Sequence, residues 1–318
     1  MAGQYHVLDS RDIIADFFNR LDANAPADWT MDIAQDIPSD SASETYTWLG
    51  QSPGMRQWVG SRAEQTLKRF TQTGINVSYE DTLMIRLADL RRDKTAQLRQ
   101  RAAEMADAAR DHPVELTTDI LNVTTTGDSY DDNAYFATDH DESGDDQVNE
   151  LTVTQVPSAN VSDTAAPTAT EMSNIIVESV GHYYTIVNDQ GRPMNTRDRR
   201  FKIVCPNAQY WAAAQKAISL NNLSSGASNP LASLPGLTFD VILEPRLTTV
   251  ATNLQLMIFN ADSPAKPLIN QVELPLETSL LGDGSDYAFD NKAHKFGLES
   301  SRVMLFGFWQ KAMRITLN

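Results

Sequence analysis

Cysteine is nearly missing from this chain. The single Cys205, in "FKIVCPN", leaves no partner for an internal disulfide and too few thiolates for a cysteine-built zinc site. No apolar run approaches the roughly 18 residues that span a bilayer. The opening "MAGQYHVLDSRD" has neither the basic start nor the apolar stretch of a secretory leader, so a soluble cytoplasmic product with no membrane contact is expected. Phosphate-cradling loops of the G-x-x-x-x-G-K-[ST] or G-x-G-x-x-G type are absent. Of His6, His112, His140, His182 and His294, no two stand at metal-ligand spacing on one helix face. Positive charge is missing over one long stretch: residues 111–191 contain no Lys or Arg but 16 of the 42 acidic residues. The rest of the chain balances, so the net charge of −16 resides in that segment. A block of this kind is a solvated, self-repelling surface, and it argues against nucleic-acid binding by that face, because affinity for phosphates comes from Lys and Arg.

Two short motifs invite chemistry. "GQSPG" at 50–54 spells a nucleophile elbow around Ser52, but Pro53 has no N–H to give an oxyanion, and the stretch reads as a turn. "DHDESGDDQVNE" fits a calcium loop, with Asp139, Asp141, Ser143, Asp145 and Glu150 at ligand positions 1, 3, 5, 7 and 12 and Gly144 at position 6. Its flanks contradict that fit. "GDSYDDNAYF" before it has turn chemistry, "LTVTQV" after it alternates like a strand, and Asp146 occupies the usual apolar position 8. A solvated acidic loop is therefore expected, with no metal and no cofactor. Cys205, at the end of a buried strand, reads as a small apolar filler.

With 318 residues and 41% apolar content, the chain suits two domains or one domain with long extensions. Residues 1–45 begin with an amphipathic stretch (Ile13, Ile14, Phe17, Phe18, Leu21) and turn polar, as an arm would. Trp48 and Trp58 flank the turn at 52–54. In "INVSYEDTLMIRL" the apolar residues Ile75, Val77, Tyr79, Leu83, Ile85 and Leu87 alternate with polar ones, broken only by Asp81. At about 3.3 Å per residue that ribbon would reach roughly 43 Å and outrun its own domain, so its apolar face is expected on another subunit. The alternative is two shorter strands bent near Glu80 and Asp81. A helix is specified from Asp93, with the stripe Leu98, Ala102, Met105 and Ala109, ending or kinking at Pro113. A second helix is expected from about Thr170 to Val187, and a third in "NAQYWAAAQKAISL". "FKIVCP", "FDVILEPRL", "LQLMIFN" and "SRVMLFGFW" read as strands. The mixture lacks regular βαβ alternation, so the class is α+β.

"TYTWLGQSPGMRQWVGSR", the "EDTLMI" ribbon, "RAAEMADAARDHPVEL" and "YDDNAYFATDH" resemble, in order and spacing, the major head subunits of Mu-like phages, capsid proteins of the Hong Kong 97 fold. Weaker similarity continues through "DQGRPM", "FKIVCPNAQYW" and "FGFWQKAM"; it covers most of 46–318, and the first 45 residues do not align. The resemblance implies an N-terminal arm (1–45), a Trp-containing segment with a long hairpin, the E-loop (46–92), and a P-domain with a spine helix (93–125). It further implies an A-domain (126–285) and a C-terminal return into the P-domain (286–318). It also implies hexamers and pentamers of one subunit, closed into a head around double-stranded DNA without sequence-specific contact. A scaffold protein, a portal and a decoration protein would be partners, and assembly in the host cytoplasm would yield a virion component with no enzymatic role. Trp48, Trp58, Ile75, Val77, Tyr79, Leu83 and Ile85 are then the expected inter-subunit contacts. The competing readings are a calcium-dependent surface or adhesion protein using the 139–150 loop, and a hydrolase.

Overall fold

The computed structural model describes residues 20, 29–49, 69–92, 97–123, 128–142, 145–188, 191–220, 222, 229, 231 and 236–318. From Trp29 the chain forms a short helix α1 (Trp29–Ile33) and strands β1 (Ala34–Pro38), β2 (Ser43–Leu49), β3 (Arg69–Ile75) and β4 (Val77–Arg86). Helices α2 (Leu87–Arg92) and α3 (Gln97–Asn122) follow, then the short strands β5 (His140–Glu142), β6 (Asp145–Gln147) and β7 (Glu150–Leu151). The second half runs α4 (Ala169–Tyr183), β8 (Arg200–Cys205), α5 (Ala208–Ser219), β9 (Thr238–Leu243), α6 (Thr248–Thr252) and β10 (Gln255–Asn260). It ends with β11 (Leu268–Leu281), α7 (Asp286–Asn291), β12 (Ala293–Phe306) and β13 (Ala312–Thr316).

Two sheets organise these elements. The first has the order β7-β13-β10-β8-β9. Its middle strands, "QLMIFN" and "RFKIVC", are apolar runs without alternation because both faces are covered, and every residue of β10 is buried. Helices α4 and α5 pack on each other and on this sheet. The second sheet has the order β1-β11-β12-β4, parallel between β1 and β11 and antiparallel elsewhere. Its two central strands are 14 residues each, a ribbon of about 46 Å at about 3.3 Å per residue. It starts inside the main core, where Leu268, Met304 and Phe306 are buried, and ends in solvent, with Glu277–Leu281 all exposed. At the root, Gly307 N–H donates to the Pro267 carbonyl at 2.7 Å, and a Cβ at Gly307 would stand 2.6 Å from the Lys266 carbonyl oxygen. Only glycine fits that approach.

Helix α3 joins the two regions. Ala102, Met105 and Ala106 are buried against Ile85, Phe296 and Leu298, with Leu98 and Ala109 partly buried beside them, so the expected stripe is the packed face. Further along, Val114 and Leu121 enter the main core. Pro113 lies between the two clusters and does not end the helix, which continues to Asn122. An interior proline costs about 3 kcal/mol. Burial of a large apolar side chain returns about 1.5–3 kcal/mol, and the helix is held by such contacts on both sides of the proline.

Other expectations change on inspection. "LTVTQV" is not a strand beyond Leu151, because Thr152 Oγ1 donates to Gln155 Oε1 at 3.0 Å and Gln155 N–H donates to the Thr152 carbonyl, closing a turn. Helix α4 stops at Tyr183, short of Val187. Residues 29–38, expected as part of an arm, belong to the body. Trp29 and Ile33 are buried, β1 pairs with β11, and Asp32 meets Lys202 Nζ at 2.6 Å. The Asp93 cap and the Ile13–Leu21 stretch lie outside the described residues, apart from Arg20.

Met105→Asp is expected to place a carboxylate in the α3–sheet cluster and cost several kcal/mol, read as a markedly lower melting temperature or insolubility; a variant as stable as its parent would mean the stripe faces outward. A pH effect follows from the cap of α4, where Thr168 Oγ1 accepts from Glu171 N–H and Glu171 accepts from the backbone N–H groups of Thr168 and Ser162. Burial pushes the Glu171 carboxyl up, but those hydrogen bonds outweigh it and bring it down to about 2 from the usual 4.5. A depressed carboxyl stabilises the fold above its unfolded value and loses that contribution as pH falls through its folded value. The stability lost in Glu171→Gln, about 1 kcal/mol at neutral pH for a cap, should therefore shrink between about pH 4.5 and 2 in denaturant titrations.

Candidate inter-subunit surfaces

The ribbon expected as one strand from Ile75 to Leu87 breaks at Asn76, not near Glu80 and Asp81. Asn76 makes a corner. Its N–H donates to the Ala42 carbonyl, its Nδ2 donates to the Ser41 carbonyl at 2.7 Å, and its Oδ1 accepts from Gln271 Nε2 at 2.8 Å. Before the corner, β3 pairs antiparallel with β2, from Ser43 opposite Ile75 to Leu49 opposite Arg69. After it, β4 joins the long sheet against β12. The hairpin β2–β3 is fastened at its base, where Tyr46 donates to Gln271 Oε1 at 2.7 Å and Gln72 Nε2 to the Asp128 carbonyl at 3.1 Å. Gly74 is buried there, since a Cβ would meet Leu305 and Gln271 side chains at 2.5 and 2.6 Å.

This corner divides the expected contact residues. Ile75 and Val77, 65% and 45% exposed, point to solvent. Tyr79 is half-buried, its ring edge-on to His112 at 4.2 Å, in a groove lined also by Glu80, Asp81, Glu115 and Glu299. Burial first, and then nearby Arg302, holds the His112 imidazole below its ordinary value, against the pull of Glu115 and Asp119. Ile85 is buried and Leu83 half-buried under the chain's own α3, which corrects their assignment to a neighbouring subunit. The alternation is real, but the helix two elements later supplies the cover. Of Trp48 only the backbone is described, in β2, and Trp58 lies outside the described residues.

The sheet's outer end carries apolar exposure that the sequence reading missed. Phe289 in α7 is 85% exposed, and Leu280, Leu281 and Met84 are close to half exposed. Register places Met84, Lys295 and Leu281 in one cross-strand row, with Lys295 Nζ over the Tyr287 ring at 4.4 Å. Another row sets Glu80, Glu299 and Glu277 side by side, an arrangement of like charges that weakens cross-strand pairing.

In the acidic segment the described residues pair as a hairpin. Strands β5 and β6 pair His140 with Gln147 and Asp141 with Asp146, and Asp139 and Asp141 are exposed. Glu150 Oε1 accepts from Arg314 Nη2 at 2.8 Å, so its carboxylate is already partnered. Ser143 and the side chain of Asp145 lie outside the description. Beside the hairpin, fully buried Asn149 accepts from Ala137 N–H at 2.9 Å and donates to the carbonyls of Tyr135 and Trp309 at 2.9 and 3.2 Å. His140, also fully buried, lies with Nε2 3.2 Å from Asn149 Oδ1 and Nδ1 2.6 Å from Asp131 Oδ2, and stacks on Trp309 at 3.9 Å. Burial pushes the Asp131 carboxyl up, and the hydrogen bond and charge of His140, together with hydrogen bonds from Ser129 and the Asn133 backbone, jointly bring it below the ordinary range.

A family model described as "Mu-like prophage major head subunit gpT" matches residues 11–169, beginning well before the point where the sequence resemblance began. A Mu-like prophage FluMu major head subunit of Haemophilus influenzae is 30% identical over 118 residues, 37% of this chain and 38% of that protein. The major capsid protein of Escherichia phage Mu is 30% identical over 117 residues with the same shares, so the matched part spans less than two fifths of either relative. Among solved structures, the asymmetric unit of the bacteriophage PhiM1 mature capsid superposes with a TM-score of 0.56 at 11% identity, over 93% of this chain and 88% of that one. At that identity the likeness is one of fold.

Calcium titration by calorimetry at physiological ionic strength is expected to show no site tighter than about 10⁻⁴ M, and any weak heat should fade with added salt. Asp139→Asn with Asp141→Asn should shift stability by less than about 1 kcal/mol. Glu150→Gln should cost about 1–3 kcal/mol, because it removes the negative charge that the largely buried Arg314 donates to at 2.8 Å.

Proposed function

Because the chain belongs to the family of Mu-like prophage major head subunits, we propose that it is the building block of an icosahedral phage head, assembling through hexamers and pentamers into a shell around double-stranded DNA. The observation that carries this is a sheet projecting beyond its own core with apolar and acidic side chains in solvent, beside a hairpin fastened at its base. A stable monomer has no use for such projections, whereas a closed shell needs each subunit to reach its neighbours. In this reading β2 and β3 belong to the E-loop, which the sequence expectation placed with the Trp-containing segment at 46–92, and β4 belongs to the long sheet instead. The β1-β11-β12-β4 sheet with α3 is the P-domain and its spine, and the β7-β13-β10-β8-β9 sheet with α4 and α5 is the A-domain, which moves β11 out of the expected A-domain (126–285) and β13 out of the expected P-domain return (286–318). The role is structural, with no catalysis on an external substrate. Scaffold, portal and decoration proteins are the expected partners, and assembly in the host cytoplasm precedes residence in the virion. The acidic 111–191 segment suits a container that must release its genome, since a wall dense in Lys and Arg would hold phosphates.

Electron microscopy of the overexpressed protein, alone and with a scaffold, tests the reading: rings or shells are expected, and a strictly monomeric product under both conditions would refute it. Three variants then separate surface from core. Ile75→Asp and Phe289→Asp should leave the monomer within about 0.5 kcal/mol of the parent yet lower particle yield, whereas Ile85→Asp should destabilise the monomer itself by several kcal/mol. Normal particles from the first two would displace those residues from the contacts.

A further inference from the structure

Helix α3 and the long sheet enclose a groove of about 180 Å³. Ala108, His112 and Glu115 recur at four and three residues, so they form one stripe of the helix along it. Across from them, Tyr79 and Asp81 alternate with the α3-packed Leu83 and Ile85 of β4, and Ser300 follows Phe296 and Leu298 of β12 in the same way. These side chains therefore face the helix. Leu276, Leu298 and Ala109 supply an apolar floor, while Asp81 and Glu115 stand exposed at the rim. Among the described residues no Lys or Arg lines the groove, and His112 adds little charge at neutral pH because its imidazole is held below its ordinary value. One polar group is left over at depth. Ser300 is 5% exposed, and its hydroxyl has no hydrogen-bond partner among the described residues. A hydroxyl so nearly withdrawn from water costs free energy that an entering donor would recover. A second hollow, lined by Leu83, Glu104 and Met105, shares Asp81 and Ala108 with the first, so the two run as one furrow along α3. Arg101, which also lines it, is turned to Glu104 at 2.6 Å. From Met105 to Glu115 the helix rises about 15 Å at about 1.5 Å per residue.

We propose that this furrow binds a linear aliphatic polyamine, with its methylenes on the Leu276–Leu298–Ala109 floor, its ammonium groups at Asp81 and Glu115, and one N–H donated to Ser300 Oγ. Shape and charge together select that class. The groove is little larger than a cavity of roughly 150 Å³ that accepts benzene, so one slender chain fits where a helix does not. The apolar floor suits methylenes and offers a bare metal ion no oxygen ligands, and among the described residues no cluster of His, Cys, Asp and Glu could hold one. A lysine or arginine side chain from a second copy carries a single charge and would match one carboxylate only. A polyamine carries several, spaced by the apolar links that the floor accommodates. Glu80 and Glu299, which line the same groove, add to its negative potential. The site belongs to the single chain and does not rest on assembly.

The test is titration of spermidine into the full-length protein by calorimetry at physiological ionic strength, with magnesium chloride as the competitor. Expected is one saturable site per chain that magnesium does not displace when ionic strength is held constant. Asp81→Asn and Ala108→Leu, both at exposed positions, should each weaken binding at least about tenfold. The first removes a charge, and the second fills the groove with every carboxylate still in place. Ser300→Ala should weaken it about fivefold, the loss of one hydrogen bond. A wild-type protein without a saturable site overturns the proposal. Binding that is unchanged in Asp81→Asn or Ala108→Leu, or that yields to magnesium at equal ionic strength, overturns it too, because the acidic surface then holds the amine diffusely. Spermidine that binds only after the protein is diluted also overturns it, by showing that a side chain of a second copy is the occupant.

Discussion

Closure of the C-terminal segment on the loop that follows α3 is the constraint from which the rest of the fold hangs. Asn149 performs it with no exposed surface, satisfying one backbone N–H and two backbone carbonyls drawn from residues 135, 137 and 309. A buried amide with that many partners cannot be replaced by an apolar side chain of similar size without orphaning the groups it serves. Around it His140 stacks on Trp309, and β7 lies parallel to β13 as an edge of the five-stranded sheet. Parallel pairing of strands so far apart in sequence has no local turn to set its register, so the polar junction sets it.

Once that junction is made, β12 and β13 run in different sheets with only a tight turn at Gly307 and a 3-10 turn at Trp309–Lys311 between them. The long sheet therefore leaves the core in a direction fixed by backbone contacts at Pro267 and Gly307, rather than by side chains along its length. That is why its outer half can carry a row of glutamates and an exposed phenylalanine, groups that would be intolerable in the core.

Much of this was legible in the sequence, for identifiable reasons. Helices α4 and α5 announce themselves through period and cap, Thr168 with Glu171 and Asn207 before Ala208, and β8 and β10 through uninterrupted apolar runs. The stripe on α3 was right because a helix face needs no knowledge of what covers it. The contact residues were only partly legible, because alternation says that one face is buried but not by what; Leu83 and Ile85 turned inward to α3 while Ile75 and Val77 did not. The break at Asn76 rests on tertiary hydrogen bonds that leave the period unbroken. Strand β11 escaped notice because Pro275 interrupts "LINQVELPLETSLL". The proline is tolerated at a bulge beyond the last β1 pairing, where β11 is an edge on that side. Phe289 left no periodic trace, being one residue of a six-residue helix.

The projecting sheet is in effect a cantilever, clamped at Gly307 and free at Phe289. A rotation of about 5° at the clamp would carry a tip roughly 46 Å away through about 4 Å, close to the spacing of neighbouring strands. Geometry of this kind trades stiffness at one point for travel at another. Small adjustments where the two sheets meet would thereby be magnified at the perimeter, and a shell of the kind proposed would draw on that travel to seat one sequence at more than one angle.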